Sequence, residues 1–144
     1  KKWFKKIIEF GYDRIEFLDW MNNDDYINLC GKSSVLLDTL YFGAGNSFHE
    51  SMVYGTPTIT MPGDTLKSRI VLGAYKQMKI EDPPIVENID DYVEKAVELA
   101  NLDEKKMIKM KKYYSNNAKK YLYENKNFIR EFEKTLLEIS NLKK

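Results

Sequence analysis

Apolar positions recur along this chain in two regimes, and the change falls near residue 85. Before that point short β-branched runs alternate with polar, helix-capable stretches. All seven glycines lie at or before Gly73, and all four prolines at or before Pro84. This alternation predicts βαβ units and a parallel sheet. From Ile85 onward nothing punctuates the backbone, which predicts long helices. Lys2–Phe10 reads as a short amphipathic helix stopped by Gly11, Arg14–Asp19 as a strand, Asp24–Gly31 as a short helix and Ser34–Thr39 as a buried strand. A glycine loop then opens a helix from about Ser47 to Tyr54. Gly55 stops it, and Thr56–Met61 forms the next strand. After the turn Pro62-Gly63-Asp64 come a helix over Thr65–Met78 and a short edge strand, Pro83–Val86. Helices over Ile89–Asn101, about Glu104–Tyr123 and Phe128–Leu142 close the chain.

The expected class is therefore α/β: a Rossmann-like parallel sheet flanked by helices over residues 1–102, with C-terminal helices over 103–144 packing on it. A doubly wound domain usually begins on a strand, whereas this chain begins inside a helix. It is expected to be a fragment lacking its upstream part, the alternative being a small complete domain with an N-terminal helix.

Composition narrows the function classes. The 144 residues suffice for one domain with a core and are too few for two well-stabilised ones. No run of about 18 apolar residues offers a membrane span, and the basic start at Lys1 has no apolar block behind it to make a signal peptide. One cysteine, Cys30, excludes a disulfide scaffold, and one histidine, His49, excludes a histidine-rich metal site. A reducing, cytoplasmic setting is the expectation. The net charge of +1 conceals a net −5 over residues 1–102 and +6 over 103–144.

The stretch Leu37-Asp38-Thr39-Leu40-Tyr41-Phe42-Gly43-Ala44-Gly45-Asn46-Ser47-Phe48-His49-Glu50-Ser51 carries the chemistry. A hydrophobic strand ends, two glycines follow and a helix starts. Amides at a helix start have no intrahelical acceptor and carry partial positive charge. Glycine lets a phosphate approach the backbone there, and open α/β sheets place ligands at strand carboxyl ends. Glu50, one turn into the helix, could accept hydrogen bonds from both hydroxyls of a ribose. The same spacing equally suits a tight turn with an Asn or Ser N-cap.

The segment GNSFHESMVYGTP resembles the donor-nucleotide segment of GT-B glycosyltransferases. Asn46-Ser47, Glu50-Ser51, Gly55 and Pro57 match the spacing of the plant secondary-product box. The longer run SVLLDTLYFGAGNSFHESMVYGTPTITMPGDTLKSRI is closer still to the O-GlcNAc transferase family, which includes SPINDLY-like and bacterial cytoplasmic N-glycosyltransferase members. Its most particular part is Met61-Pro62-Gly63-Asp64-Thr65-Leu66 with Ser68-Arg69. The similarity spans about residues 7–102.

The resemblance implies a UDP-sugar donor, UDP-GlcNAc first and UDP-glucose second, and a protein or peptide acceptor presented by upstream TPR repeats. It implies no cofactor and no bound metal. Gly45, Asn46 and Ser47 would hold the diphosphate and Glu50 the ribose. Met21, Asn23 and Tyr26 would meet the base, with Gly43, Ala44 and Asp64 near the sugar. The chain departs from the family in three places. Gly45 stands where O-GlcNAc transferases have a His before paired threonines, Phe42 where the plant box has its His, and Asn23 in place of a Lys. The family's phosphate-binding Lys and its N-terminal Rossmann domain have no counterpart here, so the fragment alone is expected to transfer nothing.

Other features have simpler explanations. His49 suits a surface or partly packed position. Asp38 suits either orienting the glycine loop or touching a ligand, and Asp64 either capping the helix at Thr65 or contacting a sugar. Lys67 and Arg69 are expected to be solvated, and Cys30 to be a small buried hydrophobe. Lysines 105, 106, 109, 111, 112, 119 and 120 interleave with Tyr113, Tyr114, Tyr121 and Tyr123. Yet Met107, Met110, Tyr114, Ala118 and Tyr121 recur at helical spacing, as a stripe that packs. One arginine among twelve basic residues also argues against nucleic acid. A noncatalytic α/β interaction module, binding a partner or polyanion through this basic tail, is the alternative function.

Overall fold

The structure, a computed structural model, describes residues 14–123 and 125–141. The helix expected over Lys2–Phe10 lies outside them. In chain order the elements are α1 (Asn23–Lys32), β1 (Leu36–Leu37), α2 (Asn46–Met52), β2 (Thr58–Ile59), a 3₁₀ turn (Leu66–Ser68), α3 (Ile70–Met78), α4 (Ile89–Ala100), α5 (Glu104–Asn117), a π-helical segment (Ala118–Tyr123) and α6 (Lys126–Asn141). The fold is mixed α/β and mostly helical.

The sheet is parallel, as the alternating pattern predicts, but small. Leu36 pairs with Thr58 and Leu37 with Ile59. A single parallel bridge from Thr60 to Ile85 stands where the edge strand Pro83–Val86 was expected. A full Rossmann-like sheet is not seen among the described residues. The strand expected over Arg14–Asp19 is absent: residues 15–22 follow an irregular path. Among the described residues β1 pairs with β2 alone. Ile15, Phe17, Leu18 and Trp20 are exposed.

Local chemistry sets the helix limits. Asn22 accepts from the Asp25 amide at 2.9 Å and donates to its carboxylate at 2.8 Å, starting α1. Asn88 and Asp91 repeat this box at α4, with distances of 2.9 and 2.7 Å. Both satisfy an amide that the helix leaves unpaired. The helix expected from Thr65 begins instead as the 3₁₀ turn and becomes α-helical at Ile70. The long helix over Glu104–Tyr123 changes from α to π at Ala118.

The core gathers Phe48 and Met52 of α2 with Val71, Ala74, Tyr75 and Met78 of α3, Ile80, Tyr114 and Ala118. Phe48, Tyr75 and Tyr114 pack edge to face in succession, with centroids 5.3 and 5.8 Å apart, the arrangement that ring quadrupoles favour. The Tyr75 hydroxyl accepts from the Thr58 amide at 2.8 Å and donates to the Thr58 carbonyl at 2.9 Å. One buried phenol thus satisfies both backbone groups of Thr58. None of the α6 residues is buried.

Candidate functional site

The site begins where β1 ends. Asp38, 5% exposed, takes no outward position. One carboxylate oxygen accepts from the Ala44 amide at 2.6 Å, and the other from the Thr60 hydroxyl at 2.6 Å. Its carbonyl accepts from the Tyr92 hydroxyl of α4 at 2.7 Å. Asp38 therefore ties the glycine loop to β2, so it orients the loop. Thr39 adds a hydroxyl bond to the Phe42 carbonyl.

Gly43 lies against this brace. Its amide donates to the Lys67 carbonyl at 2.7 Å. A Cβ there would come within 3.2 Å of that carbonyl oxygen and 3.4 Å of both Asp38 carboxylate oxygens. Gly45 is different, because a Cβ there would meet nothing within 4 Å. Its carbonyl is bonded to His49 Nδ1 at 2.9 Å, so the partly buried histidine steadies the loop. Gly45 is also the N-cap of α2, with no side-chain hydrogen bond to the helix start. The Asn or Ser cap that the spacing equally allowed is not formed.

Two cavities meet at Tyr26. One of about 610 Å³ is lined by Tyr26, Leu37, Thr39, Phe42, Ile70 and the loop Gly43, Ala44, Gly45, Asn46 and Ser47. The other, about 540 Å³, is lined by Tyr26 with Leu18, Asp19, Trp20, Met21, Asn23 and Leu29. The residues assigned to base and diphosphate thus line adjoining spaces. Burial raises the Tyr26 phenol above its ordinary pKa, a hydrogen bond to Ser47 opposes this, and neighbouring Cys30 and the Glu50 charge reinforce it. Glu50 is partly buried on α2 and close enough for its charge to be felt at Tyr26.

Asp64 stands apart. It lines a third cavity, about 530 Å³, with Tyr41, Lys67, Ser68 and Glu87, none of which lines the glycine-loop cavity. Nor does it cap the following turn, whose N-cap is Thr65, with no side-chain capping bond. Arg69 braces that turn by donating to the Gly63 carbonyl at 2.9 Å. Cys30 is buried.

Trp20 and Leu18 escaped the sequence-based assignment. Leu18 falls inside the strand expected over Arg14–Asp19, and Trp20 lies just beyond it. Trp20 is 91% exposed and lines a cavity. Among the described residues no group of three or more His, Cys, Asp or Glu is placed to hold a metal ion. No helix among them is long and apolar enough to cross a membrane. No protein-family model matches the chain, and the curated proteins contain no match to it.

Proposed function

We propose that this chain is the UDP-sugar-binding half of a GT-B glycosyltransferase, built as part of a Rossmann-like domain and related to the O-GlcNAc transferase and SPINDLY-like enzymes. The observation that carries the reading is the shared wall at Tyr26. It joins Met21 and Asn23 on one side to the Gly43–Ser47 loop on the other. Both cavities fall within the range of about 300–1,000 Å³ usual for small-molecule sites.

In this reading Tyr26 stacks on the uracil and Met21 and Asn23 meet its edge. The loop amides at Gly45, Asn46 and Ser47 hold the diphosphate. As the bond from sugar to diphosphate breaks, negative charge builds on the leaving group. Fixed amide dipoles oppose that charge without having to reorganise, the usual source of electrostatic catalysis. Asp38 and His49 hold the loop in place for this task. The acceptor is a protein or peptide, and UDP-GlcNAc is the first donor to try, then UDP-glucose.

A thermal-shift titration with UDP, UDP-GlcNAc, UDP-glucose, ADP and GDP tests the proposal. A ligand at 100 times its dissociation constant stabilises by about 2.7 kcal/mol. The expected result is a uridine-selective shift that Glu50→Ala loses while keeping its unliganded melting temperature. Equal shifts for all five ligands, or none, count against a UDP-sugar site. A uridine-selective shift unchanged in Glu50→Ala removes only the ribose role.

A further inference from the structure

On another part of the molecule, the end of α3, the π-helical segment and the start of α6 enclose a cavity of about 630 Å³ that shares no lining residue with those around the glycine loop. Its wall carries Lys79, Lys120 and Lys126, the carboxamides of Asn125 and Asn127, and one carboxylate, Glu131. We propose that this cavity binds a small, multiply charged phosphate compound.

Three features support the assignment. First, three lysines are gathered on the cavity wall, and among the described residues none of them is in an ion pair. Lys79 Nζ and Lys120 Nζ each lie 4.8 Å from the centroid of the Tyr121 ring, drawn there by the ring's negative face. The ion pairs among the described residues are Lys95–Glu98 and Lys134–Glu138, so none of the three lysines is neutralised by one. The Tyr121 phenol is held below its usual pKa by the hydrogen bond and charge of Lys120, with a further contribution from Lys79. Second, the backbone is unusual on both sides. Lys79 has φ 55° and ψ 42°, the left-handed region that glycine normally occupies at a helix end. Ala118–Tyr123 is π-helical, a rare conformation found frequently at functional sites. Third, the two walls are fastened together, since Gln77 Nε2 donates to the Tyr121 carbonyl at 2.9 Å. Ammonium groups recognise phosphate as point charges, and the carboxamides add donors that a carboxylate could not.

Isothermal titration of the full chain with inorganic pyrophosphate tests this, with two variants of the cavity and one control. Saturable binding is expected, weakened by about tenfold or more, or about 1.4 kcal/mol, in Lys79→Gln/Lys120→Gln. Lys120→Gln/Lys126→Gln should show a similar loss while leaving the left-handed residue untouched, with folding of each variant checked by circular dichroism. Lys105→Gln/Lys106→Gln, on the exposed first turn of α5, should bind like the parent. Absence of binding at millimolar pyrophosphate overturns the proposal. So does an equal loss in the control pair, which would reveal a diffuse field of lysines.

Discussion

At the scale of single residues, Asp38 decides how the glycine loop is presented. Its two carboxylate oxygens each take one hydrogen bond of 2.6 Å, from a backbone amide and from a buried hydroxyl. Truncation would strand both donors, and a buried group left without its partner costs about 1–3 kcal/mol. Asp38→Ala is therefore expected to destabilise by about 3 kcal/mol. Asp38→Asn should recover most of that, because its carbonyl can accept from Ala44 while the Thr60 hydroxyl turns to accept from the amide. Denaturant unfolding of both variants checks the order; equal losses would show that charge, not bond count, matters. The sequence made Asp38 a candidate through its position at a strand end, but left its role open. The choice depended on Thr60, 22 residues later, and no local pattern reveals which hydroxyl will lie opposite.

At the scale of elements, the informative contact joins two helices far apart in sequence. Lys111 Nζ donates to the Gly31 carbonyl at 2.8 Å and the Ser33 carbonyl at 2.6 Å. It thereby satisfies carbonyls at the end of α1, where a cation is favoured. From sequence, Lys111 is one lysine among many on a basic helix. What separates it is Gly55, at φ 71°, where a Cβ would come within 1.9 Å of the Lys111 carbonyl oxygen. The chain thus passes against the α5 backbone at a point where only glycine fits. Lys111→Met is expected to cost about 2 kcal/mol, the scale of charge-assisted hydrogen bonds. Lys112→Met, on the solvent side of the same helix, should stay within about 0.5 kcal/mol. Melting temperatures of the two variants discriminate them, and equal shifts would remove the capping role. The basic tail is therefore not uniform: Tyr114 and Ala118 belong to the core, and Lys111 to α1.

At the scale of the whole molecule, tyrosines shape the response to pH. Burial, reinforced by the Asp38 charge, raises Tyr92 to about 12, and partial burial raises Tyr123, still 43% exposed, to about 12. Burial also pushes Tyr75 and Tyr114 well above the ordinary value of 10. A phenol with a raised folded-state pKa stays protonated when the unfolded chain has already ionised. The stability it contributes is complete below pH 10 and is lost as pH climbs toward the folded-state values. Lys111, whose pKa is lowered by burial, has the opposite and smaller slope just below 10.5. Stability is thus expected to fall steeply between about pH 10 and 12. A cooperative rise in phenolate absorbance from the buried rings should then coincide with loss of circular dichroism. Ionisation of all the tyrosines without unfolding would contradict the burial of Tyr75 and Tyr114.

The sequence by itself determined the helices from Ile89 onward, the parallel sense of β1 and β2, and the grouping of Gly43–Ser47 at a strand's carboxyl end. Each follows from short-range rules: side-chain period, capping residues and glycine's small size. Tertiary structure alone decided three other matters. It drew residues 15–22 along an irregular path where a strand was expected, and it set Asp64 in a cavity other than the one the glycine loop lines. It also brought Lys79 and Lys120, 41 residues apart in the chain, onto one tyrosine ring. Such outcomes rest on long-range packing, where a residue's partner is chosen by the fold and not by its neighbours in sequence.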